Sequence, residues 1–388
     1  MMVKKENDKI IISGRVDSSN AKEFEEKLTQ CTQEGADVKI DAAKLEYISS
    51  AGLRVFLKIK KSIKGEVLIE NVSGEVYDIF EVTGFTNLLN VKKAYRNVSI
   101  DGLEKIGSGV SSQVYRLDNE TIIKVFKEAV DIKAIERENE KAKNAFLYGI
   151  PTAISYDIVK VGGNYGAIYE MLDAKDLNER ILEDKEHLDD YIEAFAKTIK
   201  KMHETKVDPK KFDDLGEYTL SKIDMFPKEL FTEEEKEKFK NIIKSIPQRD
   251  TFVHGDCHIG NVMLQGNEHM FIDLETSGKG HPIYDLEGMY RMFARGDRIK
   301  KSKNPHVLAL GYTVEEMRHI WEVFAHAYFD DKDEEFIKKA EMTLEIFTPL
   351  RMLVLRLGMP FIFDDDVARH LKNYAFKLYD EGKWELLF

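Results

Sequence analysis

The segment Phe252–Leu264, FVHGDCHIGNVML, constrains the fold of this chain more than any other part of its sequence. Asp256 and Asn261 are five residues apart, and the apolar run Val262–Leu264 follows at once. A loop with two fixed polar side chains therefore opens directly from a buried element. A second apolar strand then ends in Asp273, twelve residues after Asn261. The pattern predicts that two carboxylates and one amide meet at one place.

Phosphoryl transfer requires a protein to position phosphates, to hold a metal ion and to orient an acceptor hydroxyl. Asp256 suits the last role, because its carboxylate can accept the hydrogen bond and the proton of the acceptor hydroxyl. Asn261 and Asp273 offer the hard oxygen ligands that Mg²⁺ prefers, with Asp273 bridging to the β- and γ-phosphates. His254 and His258 flank Asp256, but their spacing is not that of a zinc-binding helix. His254 is expected to brace the loop.

A glycine-containing loop, IGSGVSSQV, occupies positions 106–114. Gly107 and Gly109 lack a Cβ atom and accept unusual dihedrals, so the backbone there can approach phosphates closely. Val114 takes the place of the valine that lies under adenine in the protein-kinase loop. A glycine hairpin without a nucleotide would explain the same residues, so this loop is informative only together with the other motifs.

Lys124 lies in the apolar strand Thr121–Phe126, where a charge is costly unless it has a partner or a role. We expect it to hold the α- and β-phosphates; the alternative is a strand-edge lysine that reaches water. Three glutamates of the following helical segment could orient it. Glu138 is favoured, because it shares the alanine-rich face that would pack on the sheet, whereas Glu136 and Glu140 lie on another face.

The order of these motifs resembles the aminoglycoside phosphotransferase and choline kinase superfamily, whose catalytic loop reads His-Gly-Asp-x-x-x-x-Asn. The resemblance covers residues 103–388. Ile168–Leu172 resembles the hinge that binds adenine through its backbone, which implicates Glu170 and Leu172 in nucleotide binding. Asp285 resembles the residue that stabilises the catalytic loop. The chain departs from the family at Ser112, in place of a third loop glycine, and at Ile259, where proline is frequent.

The resemblance implies an α+β bilobal protein-kinase-like domain at 99–388, with a small lobe at about 99–170 and a large lobe at about 171–388. Apolar residues recur at helical spacing in Leu188–His203 and predict a long amphipathic helix there. The tail from about His306 is also expected to be helical. Family membership further implies ATP or GTP and Mg²⁺ as cofactors. The acceptor would be a small molecule with a hydroxyl group, such as an amino alcohol, an aminoglycoside or a sugar.

Residues 1–98 alternate short β-rich runs with amphipathic helical stretches, which predicts a small α/β layer domain. The runs Ile10–Ile12, Val38–Ile40 and Val67–Ile69 are the predicted strands. Three helices are expected. The first carries Phe24 and is capped by Asp17 or Ser18, the second spans Ser49–Lys60, and the third carries four apolar residues, Val72, Val76, Ile79 and Phe80.

This N-terminal part resembles the STAS domain of anti-sigma-factor antagonists in four segments, Gly14–Asp17, Asn20–Phe24, Tyr47–Arg54 and Thr83–Phe85. In regulatory members a serine at the start of the second helix is phosphorylated, and Ser50 matches that serine. Ser49 stands where an aspartate is frequent. The resemblance therefore implies a regulatory or docking domain with Ser50 as a possible phosphorylation site. Ser49 and Ser50 could equally be only helix caps.

The formal net charge is −12 and is unevenly distributed, with 16 basic and 15 acidic residues in positions 1–100. The acidic remainder disfavours nucleic-acid binding. The N-terminal residues lack a signal-peptide core, no apolar run is long enough to span a membrane, and the two cysteines form no framework. A cytoplasmic kinase with no nucleic-acid or membrane partner is predicted. A signalling protein with the STAS domain as its output, and a nucleotide-binding pseudokinase, are the alternatives.

Overall fold

The computed structural model describes residues 1–109, 111–295, 311–359 and 363–388. Val110 of the glycine loop and residues 306–310, the start of the predicted C-terminal helical tail, lie outside the described residues. The chain divides into two compact units, one of residues 1–99 with 159–163, and one of residues 100–158 with 164–388. Each unit has its own core of buried apolar side chains. The division into two independent domains, residues 1–98 and residues 99–388, remains a prediction.

The first unit contains a five-stranded sheet in the order β1-β2-β3-β4-β5, with β1 and β2 antiparallel and the other pairs parallel. Its elements are β1 Met2–Glu6, β2 Lys9–Val16, α1 Ala21–Cys31, β3 Val38–Ile48, α2 Ser50–Ile63, β4 Val67–Val72, α3 Gly74–Val82 and β5 Asn90–Lys93. The three predicted strands lie within β2, β3 and β4. Phe24, Phe56 and Phe80 extend from α1, α2 and α3 into one buried cluster of rings.

Two local predictions for this unit were wrong. Val72 is the last residue of β4 and not part of α3, because Ser73 caps α3 by accepting a hydrogen bond from the backbone nitrogen of Val76. The helix α1 begins after Asn20, and neither Asp17 nor Ser18 caps it. The Asp17 carboxylate accepts from Ser19 instead, as expected for an acidic residue in a turn before a helix.

In the second unit β6, β7, β8 and β10 form consecutive antiparallel pairs of a five-stranded sheet whose order is β6-β7-β8-β10-β9. A three-stranded sheet β11-β13-β14 and the pair β12-β15 follow. The strands are β6 Lys105–Ser108, β7 Ser112–Arg116, β8 Thr121–Phe126, β9 Ser155–Val161, β10 Asn164–Glu170, β11 Lys175–Asp176, β12 Phe252–Val253, β13 Val262–Gln265, β14 Glu268–Phe271 and β15 Gly278–Lys279.

Helices make up most of the rest of this unit. They are α4 Ile132–Leu147, α5 Leu177–Glu183, α6 Leu188–Glu204, α7 Leu215–Ile223, α8 Glu233–Lys244, α9 Ile283–Met289, α10 Val314–Tyr328, α11 Glu334–Gly358 and α12 Asp365–Asp380. The predicted amphipathic helix is α6, whose Ile192, Phe195 and Ile199 are fully buried. The loop between β12 and β13 crosses this helical core, and the candidate site is built around it.

Candidate active site

Lys124 lies on β8, an inner strand, opposite Val114 of β7 and Ala167 of β10. Its Nζ donates to the Glu138 carboxylate at 2.6 Å and to the Asp273 carboxylate at 3.3 Å. Burial alone would lower the pKa of Lys124, but the charges of Glu138 and Asp273 outweigh it and raise the pKa. Lys124 therefore stays protonated and connects the sheet, α4 and the segment that follows β14.

Glu138 faces the sheet because α4 begins at Ile132, after Asp131 caps it through the backbone nitrogen of Lys133. Its side chain is buried, and burial raises its pKa despite the Lys124 ammonium beside it. Glu140, by contrast, is exposed. Among the three glutamates considered from the sequence, Glu138 is the one that contacts Lys124.

Asp256 and Asn261 face each other across the loop between β12 and β13. The Asn261 amide nitrogen donates to the backbone oxygen of Asp256 at 2.9 Å and lies 3.4 Å from its carboxylate. Because the amide nitrogen is used in this way, the Asn261 side-chain oxygen points elsewhere and remains available as a ligand. The Nε2 atom of His258 lies 3.8 Å from the Asp256 carboxylate.

The buried Asp285 of α9 holds the loop that precedes Asp256. The Asp285 carboxylate accepts from the backbone nitrogens of His254 at 2.8 Å and Gly255 at 2.6 Å, and it lies 2.9 Å from His203 Nε2. Burial alone would raise its pKa, but the hydrogen bond and charge of His203, with His254, lower it. Gly255 has φ of 81°, and a Cβ there would lie 2.4 Å from the Thr276 carbonyl oxygen.

His254 fills the bracing role expected of it. Its Nε2 lies 3.0 Å from the carbonyl oxygen of Ile272, the residue before Asp273. The Thr276 hydroxyl in turn donates to the His254 carbonyl oxygen at 3.1 Å. Two hydrogen bonds therefore connect the loop between β12 and β13 to the residues directly before and shortly after Asp273.

Asp273 itself adopts the left-handed conformation, with φ of 60° and ψ of 62°, at the start of a short 3-10 helix. Lys141 of α4 donates to the Glu275 backbone oxygen at 3.0 Å and lies 3.3 Å from the Asp213 carboxylate. Lys141 was missed in the sequence, although it lies three residues after Glu138 on a neighbouring helical position. It adds a second connection between α4 and the Asp273 segment.

The donor set around Asp273 fits Mg²⁺. One carboxylate and one amide oxygen are hard ligands, and Mg²⁺ keeps waters and phosphate oxygens for its other positions. Within the described ranges no group of three or more His, Cys, Asp and Glu side chains is placed to hold a metal ion. A site that needs only Asn261 and Asp273 from the protein is compatible with that finding.

Gly107 and Ser108 are the last two residues of β6, and Gly109 follows in the turn to β7. The Gly109 nitrogen donates to the Ser112 oxygen at 2.9 Å, which closes the turn. A Cβ on Gly107 would lie 3.4 Å from the Val114 Cβ, which is about an ordinary van der Waals contact. Ser112, at the position of the third family glycine, is buried.

Glu170 and Leu172 lie where β10 leaves the sheet. The Glu170 carboxylate accepts from the Ile154 nitrogen at 3.1 Å, and the Glu170 backbone nitrogen donates to the Ile154 oxygen at 2.9 Å, so both groups hold this segment in place. The Met171 nitrogen donates to the Glu120 oxygen. Leu172 is buried, and its nitrogen donates to no group in the described part of the chain. A backbone N–H that is buried without a partner is unfavourable unless water or a ligand completes its hydrogen bond.

In the first unit, Ser49 is the cap of α2, since its hydroxyl accepts from the Gly52 nitrogen at 3.5 Å. Ser50 is the first residue of the helix, and its side chain is exposed. The capping role that the sequence left open between the two serines therefore belongs to Ser49.

A strand-rich part with a glycine loop and an ion-paired lysine, followed by a helical part with an Asp–Asn loop, defines a kinase-like phosphotransferase fold. The chain belongs to the phosphotransferase enzyme family (APH), whose family model matches residues 102–302, just over half of the chain. The STAS domain model matches residues 1–99. Both resemblances stated from the sequence, the fold class and the prediction of a kinase are thereby confirmed.

Two relatives of the STAS domain are called anti-sigma-B factor antagonists. The one from Bacillus subtilis is 32% identical over 90 residues, 22% of this chain and 83% of that protein. The one from Listeria monocytogenes is 29% identical over 87 residues, 21% of this chain and 76% of that protein.

Solved structures with a similar fold include the gentamicin complex of APH(2")-IIa, at 14% identity and a TM-score of 0.47 over 79% of this chain and 97% of that one. A choline/ethanolamine kinase family protein from Mesorhizobium loti has 13% identity and a TM-score of 0.45 over 73% and 89%. The family assignment rests on the sequence models and not on these scores. Among the described residues no helix has both the length and the apolar character needed to cross a bilayer.

Proposed function

We propose that this protein transfers the γ-phosphoryl group of ATP or GTP to a hydroxyl group of a small molecule. The observation that carries the proposal is the position of Lys124, whose ammonium contacts both Glu138 and Asp273. A lysine held in this way presents a fixed positive charge beside a carboxylate that can hold a metal ion. That arrangement suits the binding of nucleotide phosphates.

In this proposal Gly107, Gly109 and Lys124 bind the phosphates, Val114 lies under the base, and the backbone of Glu170 and Leu172 binds the base edge. Asn261 and Asp273 would hold Mg²⁺, which neutralises the charge on the phosphates. Asp256 orients the acceptor hydroxyl and accepts its proton. Its carboxylate is kept in place by Asn261 and by the loop that Asp285 fixes, so it needs no rearrangement to act.

The test is turnover of ATP and GTP by the full chain with amino alcohols, aminoglycosides and sugars, comparing wild type with Asp256→Asn. We expect the variant to lose roughly 10²–10⁴-fold in kcat, because general-base assistance and orientation are lost. Binding of nucleotide with Mg²⁺ should remain. Asp366→Asn, the same change on an exposed side chain, is the control. Near-wild-type turnover by Asp256→Asn would exclude the proposed role.

A second candidate function is signalling through the STAS domain, with the second unit acting on protein or sensing nucleotide. The observation that favours it is the exposed Ser50, which is free of the capping role, together with the similarity of the STAS domain to anti-sigma-B factor antagonists. Phosphate at the start of α2 would face the positive end of that helix and be tolerated by the fold.

Intact mass after incubation with ATP and Mg²⁺ separates the two candidates. Addition of one phosphate in wild type, absent in Ser50→Ala and in Asp256→Asn, would support protein phosphorylation by the chain itself. Ser62→Ala, a change on the same helix, is the control. An unmodified wild-type mass under conditions that phosphorylate a small molecule would favour the small-molecule kinase.

A further inference from the structure

A cavity of about 520 Å³ in the second unit borders both halves of the candidate active site. Its wall includes Glu138, the partner of Lys124, and Glu275 and Thr276, which follow Asp273. Arg351 and Leu355, one turn apart on α11, form another part of the wall. The cavity is therefore bounded by α4, by the metal-binding segment and by α11.

Arg351 connects this cavity to the catalytic loop. Its Nη2 lies 3.4 Å from the carbonyl oxygen of Gly255, the residue before Asp256. Thr276, on the same wall, donates to the carbonyl oxygen of His254. A molecule bound in the cavity is thus next to the backbone that positions Asp256.

The Arg351 guanidinium is almost completely buried, with 2% of the residue exposed. Its Nε and Nη1 atoms have no hydrogen-bond partner among the described residues, and its remaining contacts are the long one to Gly255 and the face of the Tyr284 ring. Arginine remains charged at any pH that a protein tolerates. A buried charge without hydrogen bonds is costly unless a ligand completes its contacts.

Neighbouring carboxylates do not complete those contacts. The buried Glu287 pairs with Arg291 at 3.4 Å and forms no ion pair with Arg351. On the cavity wall, Asp213 pairs with Lys141 and Asp214 pairs with Lys279. Two of the carboxylates on the cavity wall are thereby paired with lysines. Among the described residues none of the wall's carboxylates forms an ion pair with Arg351, which is left with two unused donors.

We propose that Arg351 binds an oxyanion of the acceptor, a carboxylate or a phosphate ester, in this cavity. The second N–H of Nη2 and an N–H of the adjacent unpaired nitrogen can donate in parallel to two oxygens of such a group. The inference rests on the proposed function and narrows the acceptor to a hydroxyl compound with an anionic group. Glu217 and Glu275 line the same cavity, so the acceptor can also carry an ammonium group.

The experiment compares acceptors that differ only in the anion, using the full chain with ATP and Mg²⁺. The pairs are serine against ethanolamine, for the carboxylate, and glycerol 3-phosphate against glycerol, for the phosphate ester. In one of the two pairs, wild type should have a lower KM for the anionic acceptor than for its partner without the anion. That pair identifies the oxyanion as a carboxylate or a phosphate ester. Arg351→Met should raise that KM roughly ten- to hundred-fold, as expected for hydrogen bonds to a charged group.

A structural role for Arg351, through Gly255 alone, would instead lower kcat for every acceptor by one factor. Arg351→Lys should recover part of the affinity, since it restores the charge without the paired donors. Arg318→Met, on an exposed position of α10, is the matched control and should leave every KM unchanged. Equal use of both members of each pair by wild type, or equal effects of Arg351→Met on both, would overturn the inference.

Two further measurements decide the remaining cases. If Arg351→Met does not fold, Leu355→Trp keeps the arginine and fills the cavity; it should raise the same KM, and an unchanged KM overturns the inference. If no acceptor is phosphorylated, malonate and inorganic phosphate are titrated against thermal unfolding. Stabilisation of wild type but not of Arg351→Met supports the anion site, and equal behaviour overturns it. The proposed function fails separately, if Asp256→Asn keeps its turnover.

Discussion

The Asp285 carboxylate lies 2.6 Å from the backbone nitrogen of Gly255, although the two residues are 30 positions apart. The same carboxylate holds the nitrogen of His254 and contacts His203, so one buried acid fixes the residues that lead into Asp256. Asp285 therefore holds in place the backbone that directly precedes Asp256.

Replacing Asp285 by Asn should reduce both stability and turnover. The amide can accept only one of the two backbone hydrogen bonds well and removes the charge that pairs with His203. We expect a loss of about 2 kcal/mol in the free energy of unfolding, typical of hydrogen bonds to a buried charge. Urea unfolding and kcat at saturating nucleotide measure the two effects. If stability falls and kcat per folded molecule does not, Asp285 has no positioning role.

Asp273→Ala should raise the Mg²⁺ concentration needed for activity more than Asn261→Ala does. A carboxylate is the stronger ligand for a hard cation, and Asp273 also contacts Lys124. Titration of initial rate against Mg²⁺ gives the two requirements. Asp366→Ala, the same change at an exposed carboxylate, is the control. An unchanged metal requirement in Asp273→Ala would contradict the assignment.

His269 on β14 should make the second unit less stable as the pH falls. Burial lowers its pKa from the ordinary value of 6.5 to about 4. The unfolded chain therefore binds a proton between pH 6.5 and 4 that the folded chain does not, so stability is complete above pH 6.5 and is lost as pH falls towards 4.

His269→Phe, which keeps an aromatic ring beside Phe195, should lose less melting temperature between pH 7 and pH 5 than wild type does. Part of the loss should remain, because burial also lowers the pKa of His281 to about 3. The exposed His370→Phe should behave as wild type. The same pH dependence in wild type and His269→Phe would show that His269 is not the titrating group.

Residues 99–388 should fold and bind nucleotide without residues 1–98, since each of these two ranges has its own apolar core. Thermal unfolding of this fragment, with and without ATP and Mg²⁺, tests the predicted domain boundary. A matched fragment of residues 1–98 should unfold cooperatively and show no shift with nucleotide. Insolubility of both fragments would mean that the cores depend on each other.

Much of the site could be predicted, because its residues are marked locally in the sequence, either by unusual surroundings or by their spacing. Lys124 in an apolar strand and Glu138 on an alanine-rich face were both unusual, and the structure brings them to 2.6 Å. Asp256 and Asn261 were fixed by their spacing. Their roles toward nucleotide, metal and acceptor stay predictions.

What could not be predicted depends on contacts between distant segments. Arg351 occurs in a helix with Thr348 and Pro349 nearby, and nothing in its own neighbourhood indicates that it approaches Gly255. The wrong assignment of Val72 to α3 has a local cause. Val72 continues the apolar pattern from the strand into the helix, and the cap at Ser73 determines where α3 begins. An apolar residue directly before a helix cap is compatible with the end of a strand and with the start of a helix.

The left-handed backbone of Asp273 places two demands on one position. A side chain there costs about 1 kcal/mol of conformational energy that glycine would not incur, while the proposed chemistry requires the carboxylate. Asp273→Gly would remove this conformational cost together with the carboxylate that contacts Lys124, so any variant that gains heat resistance by this change should lose turnover. Any thermostability library built on this chain needs a turnover screen in every round.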